Sequence, residues 1–279
     1  MMLPLALLLA LQAPAPPQTA PSDSGDPPGR VARLSVREGR VSFQPSGDTA
    51  ASSWSDVAIN YILTSGDRLY ADRDGRAELE AGDVTVRLGA ATDLTIATLT
   101  DDFFQIGMST GTLRLTVYDL SNGDSVEVDT PNGAFLLRER GAYRVDVSDV
   151  DSTTTISVDS GAAEVLTGEV SQTLRAGGAL RLAGSDPIRV ASVSPAPPDE
   201  FDRWSAARDQ PLATSASAQY VGRNVPGYDE LDRSGSWETS PEYGPVWYPT
   251  VVEATWAPYR AGHWAWIDPW GWTWVDDAS

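Results

Sequence analysis

The sequence predicts an all-β protein, a β-sandwich or short β-roll followed by a small tryptophan-rich β-repeat tail. Three observations predict it. From Val31 to Val193 apolar and polar residues alternate almost throughout, the period of half-buried strands. Pairs such as Gly66-Asp67, Asp74-Gly75, Gly82-Asp83, Asn122-Gly123 and Gly177-Gly178 punctuate the runs, supplying residues that tight turns demand. Eight of the ten tryptophans fall between Trp237 and Trp274, in two copies of the pattern G-x-W-x5-[YW]-G-x2-W spaced 27 residues apart. A period of that size marks a repeated supersecondary unit.

The strands follow in order. Leu34 and Val36, then Val41 and Phe43, flank a turn at Glu38-Gly39. The rhythm returns at Val84, Val86 and Leu88; at Leu94 and Ile96; at Leu113, Leu115 and Val117; and at Val126 and Val128. It continues at Phe135 and Leu137, at Tyr143, Val145 and Val147, at Ile156 and Val158, and at Leu180 and Leu182. The outward positions carry Asp, Glu, Arg, Thr and Ser and read as a solvated face.

Residues 1–29 read as a signal peptide and a Pro-rich leader. The apolar run Leu3 to Leu11 is too short for the roughly 20 residues that span a bilayer but suits a secretory signal. An exported chain, periplasmic or extracellular, is expected, with no transmembrane span beyond the signal.

Residues 30–193 carry an ordered series: Val36-Arg37-Glu38-Gly39-Arg40-Val41, Trp54, Leu63-Thr64-Ser65-Gly66-Asp67-Arg68-Leu69, Gly75-Arg76-Ala77-Glu78-Leu79 and Val86-Arg87-Leu88-Gly89. Leu113-Arg114-Leu115, Val128-Asp129-Thr130-Pro131-Asn132-Gly133-Ala134, Gly141-Ala142-Tyr143-Arg144-Val145 and Val158-Asp159-Ser160-Gly161 complete it. The series resembles the FecR domain, found in the periplasmic part of iron-dicitrate-type sigma regulators and in secreted envelope proteins. The resemblance implies a β domain with Trp54 and the Leu/Val set in its core. The cytoplasmic and transmembrane parts of those regulators have no counterpart ahead of it here, so transmembrane sigma regulation is not carried over.

Residues 194–219 read as a linker. Three prolines in Ser192 to Glu200 favour extended chain, and Phe201 to Gln210 fits a short amphipathic helix with Phe201, Trp204 and Ala207 on one side and Asp199 as its cap. Residues 220–279 form the tryptophan-rich region. Its segments Val225-Pro226-Gly227-Tyr228, Tyr243-Gly244-Pro245-Val246-Trp247 and Gly262-His263-Trp264 resemble an uncharacterised tryptophan-rich domain that follows FecR-like domains in envelope proteins. That family continues with further repeats, so a truncated tail is expected.

Composition excludes much chemistry. Net charge is −19, all twenty cations are arginine, histidine occurs once and cysteine never. Schiff-base and P-loop lysines, thiol nucleophiles and cysteine-ligated zinc are absent. A polyanion such as nucleic acid would be repelled. No cofactor is expected, and among catalytic classes only a carboxylate pair, as in glycoside cleavage, survives. The candidate ligand- or partner-binding residues are Trp256, Tyr259, Arg260, His263, Trp264, Trp266, Asp268, Trp270, Trp272 and Trp274. Indoles stack on sugar faces while Asp and Arg bond hydroxyls, and alternation sets Trp270, Trp272 and Trp274 on one strand face. The competing reading makes the rings the core of a small module, and it carries more weight. The expectation is a non-catalytic envelope interaction or scaffold protein whose partner is an envelope protein. A glycan- or peptidoglycan-binding module is the alternative, and a carboxylate hydrolase the remote one.

Overall fold

The computed structural model describes residues 30–47, 53–120, 123–168, 170–250, 259–260, 262–267 and 271–276. The expected signal peptide and leader lie outside them. Residues Pro28–Arg260 form one compact unit and the second tryptophan hairpin belongs to another, so each is described by itself.

Seventeen strands make up the β body among the described residues. In chain order they are β1 (Ala32–Glu38), β2 (Val41–Gln44), β3 (Ser55–Asp56), β4 (Ile62–Leu63), β5 (Arg68–Ala71), β6 (Arg76–Ala81), β7 (Val84–Leu88), β8 (Thr92–Leu99) and β9 (Phe103–Val117). Then come β10 (Ser125–Thr130), β11 (Gly133–Leu137), β12 (Gly141–Ser148), β13 (Thr153–Ser160), β14 (Ala162–Thr167), β15 (Val170–Arg175), β16 (Ala179–Ala183) and β17 (Arg189–Val193). Pairing sorts them into two sheets that share β9. The first runs β4-β1-β6-β7-β9-β12-β13-β16-β17. The second runs β3-β2-β5-β8-β9-β10-β11-β14-β15. After β9, hairpins alternate between the sheets: β10-β11 and β12-β13 each pair with β9, β14-β15 lies beside β10-β11, and β16-β17 beside β12-β13.

The expected all-β class holds. Alternation puts one face of each sheet inside, and those faces share one core that includes Leu34, Leu79, Leu115 and Val145 from the first sheet and Leu94, Ile106, Val128 and Phe135 from the second. Burying such side chains supplies the main driving force, about 1.5–3 kcal/mol each. The Tyr143 hydroxyl crosses the core to donate to the carbonyls of Glu139 and Ala162, so its buried polar end is satisfied.

Two expectations change and one gains detail. The expected turn at Glu38-Gly39 joins strands of different sheets: β1 pairs with β4 and β6, β2 with β3 and β5, and the turn carries the chain from one sheet to the other. Trp54 is half-buried rather than core, edge-on to Tyr70 at 6.4 Å with the Arg68 guanidinium 5.2 Å above its ring. The outward face of the first sheet is not all solvated. Thr85 and Arg87, between the core residues of β7, are buried, and so are Glu78 and Glu80 on β6; the chain beyond Val193 folds back onto this face, with Asp209 on Arg87, Arg208 on Glu78 and Gly227 on Glu80.

That covering segment holds the linker helix. α1 (Glu200–Thr214) is longer than the expected Phe201 to Gln210 and passes through Pro211. Its N-terminus has a capping box, Asp199 accepting from the Asp202 N–H while the Asp202 carboxylate accepts from the Asp199 N–H. Its C-terminal carbonyls are taken by tertiary donors: Arg223 Nη1 and the Tyr228 hydroxyl bond the Leu212 oxygen, and Arg223 Nη2 bonds the Ala213 oxygen. The helix therefore persists beyond the proline that would ordinarily end it. Among the described residues no helix is long and apolar enough to cross a membrane.

Candidate functional site

Two features of the chain stand out from a plain β body: a charged seam under α1, and the tryptophan hairpins.

The seam begins in strand register. Arg87 on β7 stands opposite Arg114 on β9, and Arg114 opposite Arg144 on β12. Three like charges opposite one another across adjacent strands oppose sheet formation unless something neutralises them. α1 does so. Asp202 accepts from Arg114 and, at 2.7 Å, from Arg144; Asp199 accepts from Arg144 at 2.8 Å; Asp209 accepts from Arg87 at 2.8 Å. From the sheet, Glu78 accepts from Arg87 at 2.6 Å and from Arg208 of the helix at 2.7 Å. Arg87 and Glu78 are 1 % and 0 % exposed. The helix thus docks chiefly through charge. Only Ser205 and Leu212 of it are buried, and Ala207, expected on the inner face, is exposed. Phe201 and Trp204 are half-buried at its edge, stacked at 5.8 Å, with the Trp204 N–H on Glu38 and Arg76 over its ring.

Glu78 and Glu80 sit two residues apart with opposite electrostatics. Burial alone would raise the Glu78 carboxyl, but the Arg208 hydrogen bond and the Arg87 charge outweigh it and hold it below the ordinary value. Burial does raise Glu80, whose partners, Arg33 and the Gly227 N–H, do not fully offset it; Arg33 is shared with Glu230. A depressed carboxyl contributes stability above its unfolded pKa of about 4.3 and loses it as pH falls through the folded value; a raised one costs stability at neutral pH and the cost fades as pH falls toward about 4.3. Glu80→Gln is therefore expected to destabilise much less than Glu78→Gln at pH 7, and to flatten the rise in stability between neutrality and about pH 4.3. Urea unfolding across that range reads both effects.

Each copy of the aromatic pattern is one β-hairpin. Past two short helices, α2 (Ala218–Val221) and α3 (Glu230–Ser234), the first copy forms β18 (Gly235–Ser240) and β19 (Gly244–Pro249), with Trp237 opposite Trp247. The second forms β20 (Gly262–Ile267) and β21 (Gly271–Asp276), with Trp264 opposite Trp274 in the equivalent register. The pattern thus encodes a hairpin with one cross-strand tryptophan pair. Where the first copy sets Thr239 against Pro245, the second sets Trp266 against Trp272. Residues two apart on a strand share a face, so the second hairpin has four tryptophan positions on one face.

The copies are used differently. In the first, both rings are half-buried against the chain's own residues: the Trp237 N–H donates to the Ser217 hydroxyl, Tyr220 stacks on Trp237 at 4.3 Å, and the Trp247 N–H donates to the Leu231 carbonyl. In the second, Trp264 and Trp272 are 55 % and 67 % exposed, and Trp274 meets Trp264 edge-on at 5.6 Å and 73°.

Of the residues expected to bind, the second hairpin brings Trp264, Trp272 and Trp274 together and places His263 on the neighbouring, exposed position of β20. Trp266 is located by register only. Tyr259 is exposed with φ 57°, and Arg260 beside it is exposed. Trp256, Asp268 and Trp270 lie outside the described residues, and with them the expected Trp270-Trp272-Trp274 row and the His263-Asp268 pairing. The arginine row was missed by sequence reading. Its only trace was one arginine at an outward position of each of three strands, which says nothing of their register.

The aromatic region has a relative among known families. Residues 228–279 match a family of unknown function (DUF6600). The match starts at Tyr228, just before the first hairpin, and takes in both copies of the repeat. No match was found among the curated proteins. Among solved structures, two crystal structures of a candidate anti-sigma factor from Parabacteroides distasonis ATCC 8503 are similar at TM-score 0.41, with 17 % and 18 % identity. Each similarity covers 46 % of this chain and 59 % of that one.

Proposed function

We propose that the chain is a non-catalytic interaction protein of the cell envelope, in which a FecR-like β body carries a tryptophan-hairpin module that holds a partner protein. The observation carrying this is the unequal use of one repeat. The first hairpin uses its indoles to fasten itself to the chain, whereas the second leaves Trp264 and Trp272 more than half exposed. Exposed large aromatics are the residues most enriched among binding hot spots. The edge-to-face Trp264–Trp274 pair favours a protein partner over a sugar, because two rings at 73° do not make the flat platform that a glycan chain stacks on. The FecR resemblance and the signal-like leader support an envelope location.

The test is crosslinking capture in envelope extracts, run beside co-sedimentation with peptidoglycan, for the full chain and for Trp272→Ala. Capture of a discrete envelope protein that falls at least about tenfold in the variant, roughly 1.4 kcal/mol, supports the reading. Sedimentation that is lost in Trp272→Ala assigns the hairpin to a cell-wall glycan instead. Capture unaffected by the substitution overturns the role of this face.

A further inference from the structure

The seam under α1 combines three features. The receptor side is a row of three arginines in direct register, Arg87, Arg114 and Arg144, in a protein whose net charge is −19. The ligand side is a helix whose acids Asp199, Asp202 and Asp209 reach all three. The connection is a tether, Ser194 to Pro198, with three prolines and every residue exposed. One bond, from Arg203 Nη1 to the Pro198 carbonyl, holds it among the described residues. With Arg114, Arg144 and Arg181 of the sheet it lines a groove of about 490 Å³.

From these we infer that the arginine row is a receptor for an acidic helix, and that α1 of a second copy of this chain can fill it in place of the chain's own. The ion pairs define the fit. Arg144 takes both Asp199 and Asp202, Arg114 takes Asp202, and Arg87 takes Asp209, so the helix acids meet successive strands in order. Exchange of α1 together with the segment after it, whose Gly227 and Glu230 hold Glu80 and Arg33, keeps every one of these pairs and changes only the path of the tether, which is the condition under which identical elements swap between copies at low cost. A tether whose every residue is exposed loses little by being redirected. The Arg144–Asp199 end of the contact, where Asp199 is 47 % exposed, lets go more readily than an apolar contact, because salt and water compensate its groups as it opens. Reciprocal exchange would set two tryptophan modules on one dimer, since the tail follows α1 in the chain.

Two full-length variants test it. The helix variant, Asp199→Asn with Asp202→Asn, keeps cap-forming residues and an intact arginine row. The row variant, Arg114→Gln with Arg144→Gln, keeps an intact helix. Each is expected to be monomeric alone by light scattering. Co-refolded from urea, they are expected to give a one-to-one complex of doubled mass, because the wild-type helix of one finds the wild-type row of the other. The complex should weaken in about 1 M salt, where exposed charges such as Asp199 are screened within roughly 3 Å. Circular dichroism checks that both fold; if the row variant does not, Arg144→Gln alone replaces it, since Arg144 holds both N-terminal acids. Folded variants that remain monomeric when co-refolded overturn the inference, as does a complex that persists unchanged in high salt.

Discussion

Glu78→Leu is expected to destabilise the protein by about 3–5 kcal/mol, the usual consequence of stripping one partner from a buried ion pair. Glu78 is fully buried and accepts from three side chains: Arg87, Arg208 and the Ser35 hydroxyl. Its loss leaves the Arg87 guanidinium, 1 % exposed, with Asp209 as its remaining ion-pair partner, and leaves Arg208 without the carboxylate that draws the helix down. The double variant Glu78→Leu/Arg87→Met is expected to recover most of that cost, because an apolar pair of similar volume is often as stable as a buried ion pair. Asp209 tolerates losing Arg87, being partly exposed and within reach of the Thr116 and Tyr118 hydroxyls. Urea unfolding of the four proteins in the cycle measures the coupling. If Glu78→Leu and the double variant cost the same, the pair is not what holds this seam.

Gly111→Ala is expected to cost about 2–6 kcal/mol. Gly111 sits where β9 leaves the second sheet for the first: Thr110 still pairs with Asp93 of β8, and Gly111 already pairs with Val147 of β12. The crossing needs φ of +101°, and an added Cβ would lie 2.4 Å from the Thr92 Cα and Oγ1 and 2.7 Å from the Ala91 oxygen. Backbone strain of about 1–3 kcal/mol adds to a similar cost for overpacking, and the obstacle is main chain that has nowhere to go. Thermal and urea unfolding read the loss. A cost under about 1 kcal/mol would mean that β9 can make its turn another way, and that the two sheets are less firmly joined than this strand implies.

These two residues differ in how far the sequence foretold them. Gly111 lies in a run, Met108 to Thr112, that lacks strong alternation, and nothing local marks it as the place where one strand serves two sheets. Glu78 and Arg87 stand at outward positions of well-patterned strands and look solvated. A period of two reports which residues share a face, not whether a later segment will cover that face. The same limit explains α1. Its apolar residues Phe201, Trp204 and Ala207 suggested a hydrophobic docking stripe, but the stripe that docks runs through Asp202, Ser205, Asp209 and Leu212, chosen by arginines whose register depends on strands far away in the chain.

The sequence by itself determined the all-β class, the places where the chain turns, and the spacing of the tryptophan repeat, which the structure reads as Trp237 opposite Trp247 and Trp264 opposite Trp274. These are local properties: alternation, turn residues and hairpin register act over a few residues, and each hairpin pairs strands next to each other in the chain. Only the tertiary structure decided which turns stay within a sheet and which pass between sheets, that Arg87, Arg114 and Arg144 come into line, and that Trp237 and Trp247 are half-buried while Trp264 and Trp272 are more than half exposed. Those outcomes depend on pairing between strands and helices distant in sequence, where the energy of a contact is set by what arrives from elsewhere rather than by the residues on either side.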